Sequence, residues 1–223
     1  MTDAPETMHR RVRQRVARDL KPVRPLLSPG RRLVLLIPIA IVAAGYSPAV
    51  ATRGDLGQLG VWAAWGLSAV QWLIGLLILG VALRYAVPGR VISRRFLIAT
   101  LAAAPATILT VTAITYAITP SGVPPGMAFA FWWYCVRGPM IVAAPLLLVA
   151  SILAMRAYPT RPALVGALCG LAAGLLADSG WRLFCEVSSP SHILTSHSLA
   201  IVLMAGIGAG ASRTIDSIRR RSK

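Results

Sequence analysis

The sequence predicts an all-α protein: a polytopic bundle of six membrane-crossing helices with both the N-terminus and the C-terminus on the cytoplasmic side. Three observations predict it. Of the 223 residues 56% are hydrophobic and 13% are charged, with a mean hydropathy of +0.68, a balance that water-soluble domains rarely show. Six apolar stretches of about 20 residues are each long enough to cross a hydrocarbon core. The basic residues gather in every second loop, the pattern expected because Lys and Arg resist translocation.

The first span covers residues 33–50, behind a basic tail of residues 1–32. That tail, Pro38 and Pro48 within the span, and the lack of a small-residue cleavage site mark a retained helix, not a signal peptide. The remaining spans follow at 61–83, 97–118, 131–155, 164–184 and 193–211. Nine basic residues precede the first span, Arg84, Arg90, Arg94 and Arg95 separate the second from the third, and Arg156 and Arg161 separate the fourth from the fifth. Arg213, Arg219, Arg220, Arg221 and Lys223 follow the last. The intervening loops hold Arg53 alone, then the uncharged stretch 119–126, then 185–191 with its single acid Glu186. The chain therefore divides into a cytoplasmic tail (1–32), a transmembrane domain (33–212) and a short basic cytoplasmic tail (213–223).

A net charge of +16 raises the question of nucleic acid, since clustered arginines neutralise phosphates. Every cluster sits where membrane topology places one, and the inner leaflet is itself anionic, so membrane lipid is the expected counterpart and no direct nucleic-acid contact is expected. The hydropathy shows no inverted repeat of the kind found in secondary transporters.

Within the tail, Val12, Val16 and Leu20 recur every fourth residue and form one narrow apolar stripe on a helix, flanked by Arg11, Arg13, Arg15 and Arg18. Pro22 and Pro25 then end the helix. Such a helix either lies on anionic lipid or docks a soluble partner from the membrane surface.

Ionisable groups inside hydrocarbon are costly and mark either function or a paired contact. Counting along spans four, five and six brings Cys135, Arg137, Arg182, Cys185, Glu186 and His192 to nearly one level at the periplasmic face, with Asp178 and His197 about one turn deeper. Asp178, Arg182 and Glu186 are spaced i, i+4, i+8, so one arginine is expected to bridge two carboxylates on one helix face. Trp132, Trp133 and Tyr134 read as an interfacial belt. Cys135 and Cys185 lie on adjacent spans at the oxidising face, with Arg137 and Arg182 near enough to favour the thiolate, whereas Cys169 reads as packing. A disulfide, an inert pair and a metal site all remain open for the two cysteines. Glu186, His192 and His197 are close enough to complete a metal site, although the separation of the histidines is not that of two ligands on one α-helix face.

Four segments resemble a known family: ARDLKPVRPLL at 17–27, VPGR at 87–90, YPTRPALVG at 158–166 and LFCEVSSPSHILTSHS at 183–198. They are similar to the NrsF family of six-span bacterial membrane anti-sigma factors, over nearly the whole chain. Cys135 and Cys185 stand where that family has its two cysteines, and Ser191 and Ser196 stand where it often has a further histidine and an aromatic. The resemblance implies a bacterial inner-membrane regulator. Its N-terminal segment would hold an extracytoplasmic-function sigma factor, with Val12, Val16, Asp19, Leu20, Pro22, Val23, Arg24 and Pro25 as the contact residues. Cys135 and Cys185, supported by His192, His197, Arg137 and Arg182, would sense heavy-metal or oxidative stress. No cofactor and no enzymatic activity are implied. A membrane thiol oxidoreductase would also place cysteines at that face, but the chain has no C-x-x-C. A small-solute transporter would account for Asp178 and Arg182, yet neither alternative uses the DLKPVRPL tail.

Overall fold

The computed structural model describes residues 10, 13–17, 25–90, 92–122, 126 and 128–221. Six long helices are apolar enough to cross a membrane, and no strand occurs among the described residues. They are α1 (Pro29–Val50), α2 (Val61–Tyr85), α3 (Arg94–Ile118), α4 (Ala128–Met155), α5 (Pro162–Trp181) and α6 (Ser198–Arg221). The last is preceded without a break by a short turn at Pro190–His192 and a π-helical segment at Ile193–His197.

Local signals set the helix starts. The Ser28 hydroxyl accepts from the Arg31 amide ahead of α1, with Pro29 as its first residue, and the Ser93 hydroxyl accepts from the Phe96 amide ahead of α3. Prolines inside α1, α3 and α4 are accommodated, as bundle neighbours allow in membrane helices.

Helix α5 is the axis of the bundle, packing against α1, α2, α4 and α6, while α3 packs chiefly on α2. From Ala172 to Trp181 every residue of α5 is buried. Gly166, Gly170 and Gly174, spaced by four, line its contact with α6. A methyl group at Gly170 would overlap the Met204 carbonyl, and one at Gly166 the Gly208 carbonyl. Small residues at this interval let two backbones touch, which is how helices associate where no hydrophobic drive exists. The outward faces of α1, α2, α4 and α6 expose Val34, Ile41, Leu73, Ile141, Leu148 and Val202, side chains suited to hydrocarbon.

Two side chains show which ends share a face. Arg32, at the start of α1, donates to the Leu153 carbonyl near the end of α4 at 3.1 Å, and Arg219, near the end of α6, donates to the Met155 carbonyl at 2.8 Å. The bundle thus has an arginine-rich face, from which α1 rises and to which α6 returns, and an opposite face that carries the 182–192 link. The predicted fifth span runs to residue 184, but α5 ends at Trp181 because the carbonyls beyond it are claimed from outside the helix. The Arg53 amide bonds the Leu183 carbonyl at 2.9 Å, and the Arg53 guanidinium reaches the Arg182 carbonyl at 3.4 Å. The predicted end of the sixth span at 211 falls short of Arg221, since α6 continues as a polar, arginine-bearing extension.

Candidate functional site

Asp178 is fully buried in α5 and both of its carboxylate oxygens are hydrogen-bonded. Its Oδ2 receives the Arg182 Nε at 3.1 Å and the Gln71 Nε2 at 2.8 Å, and its Oδ1 lies 2.6 Å from the His197 Nδ1. Arg182, one turn on, also donates both terminal nitrogens to the Thr112 hydroxyl of α3, at 3.2 and 3.3 Å. One carboxylate therefore joins α2, α5 and the start of α6, and through Arg182 reaches α3. This is the pairing that a charge removed from water requires.

The carboxylate only accepts, so the proton between it and His197 is assigned to Nδ1. That leaves Nε2 of this fully buried ring without a hydrogen bond. Around it stand Cys135 from α4, Cys185 from the link after α5, and His192. The Cys135 and Cys185 sulfurs are 3.6 Å apart as free thiols, and Cys185 Sγ is 3.8 Å from His192 Nε2. One donor atom from each of Cys135, Cys185, His192 and His197 lies within 4.8 Å of all the others, and all four residues are buried. Trp181, Val187, Phe131 and Phe184 wall the pair with apolar surface, and the Trp181 ring fills the space that a Cβ at Gly138 would need.

The convergence of the histidines depends on the π-helical segment. Five residues along an α-helix turn a side chain about 140° away from the first. Here the Ser198 amide bonds the Ile193 carbonyl, five residues back, and the widened turn brings His192 and His197 to one side, with ring centres 5.6 Å apart. The separation is not that of two ligands on one α-helix face, and the π turn is what brings the two rings together.

Loops from elsewhere hold the link in place. Arg53 grips Asp55 with two parallel bonds of 2.5 and 2.7 Å, and its amide and guanidinium hold the carbonyls of Arg182 and Leu183. The hydrogen bond from Arg53 keeps the Asp55 carboxyl below its ordinary range, against the opposing effect of burial. Glu186 accepts from the Gly54 amide at 2.8 Å, the Ser121 hydroxyl donates to the Glu186 carbonyl at 2.5 Å, and the Ser188 hydroxyl bonds the Thr119 carbonyl.

Several expectations are corrected. Arg182 bridges Asp178 to Thr112 and not to Glu186, because the helix has ended before Glu186 and that carboxylate turns to Gly54. Arg137 is exposed on α4, its guanidinium 5.8 Å from the Tyr134 ring centre, away from the buried donors. Arg182 spends its charge on Asp178, so it is not left to act on the Cys185 sulfur. Cys169 is buried in α5 within the main core, apart from the cluster, as expected. Of the belt residues, Trp133 and Tyr134 are exposed and Trp132 donates to the Thr195 hydroxyl at 3.1 Å.

In the tail, residues 13–17 are helical and Val16 is 54% exposed, and Pro25 is exposed ahead of α1. Val12, Asp19, Leu20, Pro22, Val23 and Arg24 lie outside the described residues. Gln71 and Thr112 complete the buried network, and neither carries a charge that marks it in the sequence. A lone amide in an otherwise apolar span was the available signal for Gln71.

No curated protein and no solved structure matches the chain. Residues 16–215 match the protein family described as NrsF, negative regulator of sigma F. That match takes in α1 to α5, α6 as far as residue 215 and the whole buried cluster, and on it the chain belongs to the NrsF family of negative regulators of sigma F.

Proposed function

We propose that this protein is an inner-membrane anti-sigma factor, and not an enzyme, that holds an extracytoplasmic-function sigma factor through its N-terminal tail. Heavy metal or oxidant, met by Cys135 and Cys185 from the periplasm, releases it. Within this reading the arginine-rich face, with both termini, is cytoplasmic, in line with the distribution of basic residues, and the outer faces of the helices meet lipid.

The observation that carries the sensing half is the meeting of two free thiols, 3.6 Å apart, from different elements of the bundle. Chemistry that draws them together acts on the packing of α4 against α5, which is the kind of two-state element a switch needs. For the holding half, an exposed Val16 on a helical stretch beside exposed Arg13 and Arg15 offers an apolar contact with basic margins, suited to a groove edged by acidic side chains.

The test is a pull-down from the native cytoplasm with full-length protein in detergent, alongside a chain lacking residues 1–25. A sigma factor recovered only by the intact chain is the expected result, with the shortened chain still inserted as a folded bundle. Equal recovery by both would place the docking surface elsewhere.

A further inference from the structure

We infer that Cys135, Cys185, His192 and His197 form a closed four-ligand site for one thiophilic divalent cation of the d10 type, Zn²⁺ or Cd²⁺, with Asp178 as the carboxylate that orients His197. The inference deepens the sensing role proposed above, and rests on it only for the biological meaning of the site.

The donor geometry is the first argument. An ion bound tetrahedrally at about 2.3 Å from sulfur and 2.0–2.1 Å from nitrogen sets its two sulfurs about 3.8 Å apart and each sulfur about 3.6 Å from a nitrogen. The observed separations are 3.6 Å between the sulfurs and 3.8 Å from Cys185 to His192. All four donors lie within 4.8 Å of one another, so the shell is completed by closing the wider pairs by up to about 1.5 Å onto the two pairs already at bonding separation.

His197 supplies an independent argument. A fully buried imidazole with Nδ1 committed to a carboxylate and Nε2 without any hydrogen bond is an uncompensated polar group. The same arrangement is how a ligating histidine is held in metal sites, where an acid or carbonyl takes one ring nitrogen, fixes the tautomer and leaves the other for the ion. Asp178 is in turn fixed by Arg182 and Gln71, so the orienting group is itself oriented.

Charge and softness select the ion. Each thiol gives up its proton to solvent as its sulfur–metal bond forms, and two thiolates then balance one divalent cation, so the buried shell gains no net charge. Two sulfurs and two imidazoles in a tetrahedral set suit Zn²⁺ and its softer congener, whereas Mg²⁺ and Ca²⁺ require oxygen ligands. Four protein ligands leave no open position, which separates this site from a hydrolytic centre. A cavity of about 20 Å³ reaches Cys185 between Arg53, Thr112, Arg182 and Ser188, with room for about one water. Both arginines there carry their own carboxylate, Asp55 and Asp178, so this approach is not a cationic barrier.

The experiment uses the full chain in detergent under reducing conditions, with Co²⁺ as a spectroscopic probe and Cd²⁺ for affinity. One Co²⁺ per chain, with tetrahedral ligand-field bands and thiolate charge transfer, displaced by Zn²⁺, is the expected result. An octahedral spectrum, or one without thiolate charge transfer, overturns the site. His192→Gln and His197→Gln are expected to weaken Cd²⁺ by more than about 10-fold, and Asp178→Asn by about 10–100-fold as an orienting group, while Cys169→Ser leaves it unchanged. Unaltered Cd²⁺ affinity in both histidine variants would mean capture by the thiols alone and would equally overturn the site. The wild-type Co²⁺ spectrum decides the matter should a variant fail to fold. Metal binding by a chain that retains no sigma factor would support this site and remove the proposed function. Sigma-factor release by oxidant from a chain that binds no metal would do the reverse.

Discussion

Asp178 sits fully buried in a hydrocarbon-length helix and draws Arg182, His197 and Gln71 onto one carboxyl group. Removing its charge is expected to be far more damaging than removing a neighbour's hydrogen bond. Asp178→Asn keeps the shape but leaves the Arg182 guanidinium buried without its counter-charge, at a cost of about 3–5 kcal/mol. Gln71→Ala deletes one amide donor to a charged acceptor and should cost about 1.5–3 kcal/mol. Thermal unfolding of the two variants in the same detergent checks the order, and a Gln71→Ala protein as unstable as Asp178→Asn would show that the amide matters as much as the charge. How much of the network is legible in the sequence follows from the same chemistry. An acid and an arginine at i, i+4 inside a span announce a pair, and counting residues from the arginine-marked ends brings both cysteines and His192 to nearly one level, with His197 about one turn deeper. Gln71 and Thr112 carry no formal charge and do not stand out among 25-residue helices of apolar side chains. The bond from His197 to Asp178 joins residues 19 apart on different helices, a contact that no local spacing encodes.

At the scale of the element, α5 and the π-helical segment behave differently under sequence reading. The six spans are plain because hydrocarbon demands long apolar runs, and their ends are plain where a serine caps or a proline starts them. The ends of α5 and α6 are set by Arg53 reaching across the fold and by a polar extension, and neither affects hydropathy within the span. A π turn has no composition of its own, so an i, i+5 pair of histidines reads as misaligned until the backbone is known. The glycine seam, by contrast, stands in the sequence as three glycines spaced by four, and its consequence is specific. Gly170→Ala drives a methyl group into the Met204 carbonyl and is expected to destabilise the bundle by about 1–3 kcal/mol through overpacking. Gly206→Ala, on α6 with nothing within 4 Å, should be neutral or stabilising by up to about 1 kcal/mol, as replacing a helical glycine usually is. Opposite signs in a melting experiment are the expected outcome. Destabilisation by Gly206→Ala as well would mean that α6 needs this glycine for flexibility, since no contact requires it.

For the molecule as a whole, the proposed switch requires a signal at the cysteines to reach a tail on the opposite face, and α1 is the element that touches both ends of that path. Near the cysteine face the Ala44 carbonyl of α1 lies so close to Gly180 of α5 that no side chain fits between them. At the arginine-rich face, the buried Arg32 joins the Leu27 carbonyl, at the root of the tail, to the Leu153 carbonyl of α4 by bonds of 2.9 and 3.1 Å. A cation or a disulfide that shifts α4 against α5 therefore moves the two supports of α1 relative to each other, and the tail root follows Leu153 through one guanidinium. Arg32→Gln is expected to leave Cd²⁺ binding and sigma-factor retention close to wild type while weakening stress-driven release. The loss should be several-fold, in keeping with coupling contributions of about 0.5–2 kcal/mol for a residue that touches neither ligand. The measurement is the fraction of sigma factor released from membranes by Cd²⁺ in the two proteins at equal metal occupancy. Equal release would show that the tail is reached by another route, with α6 and its Arg219 bond to Met155 the next connection to cut. Loss of retention without any metal would instead make Arg32 part of the docking surface, because Pro25, Leu26 and Leu27 line one pocket with Arg32, Leu153 and Arg156.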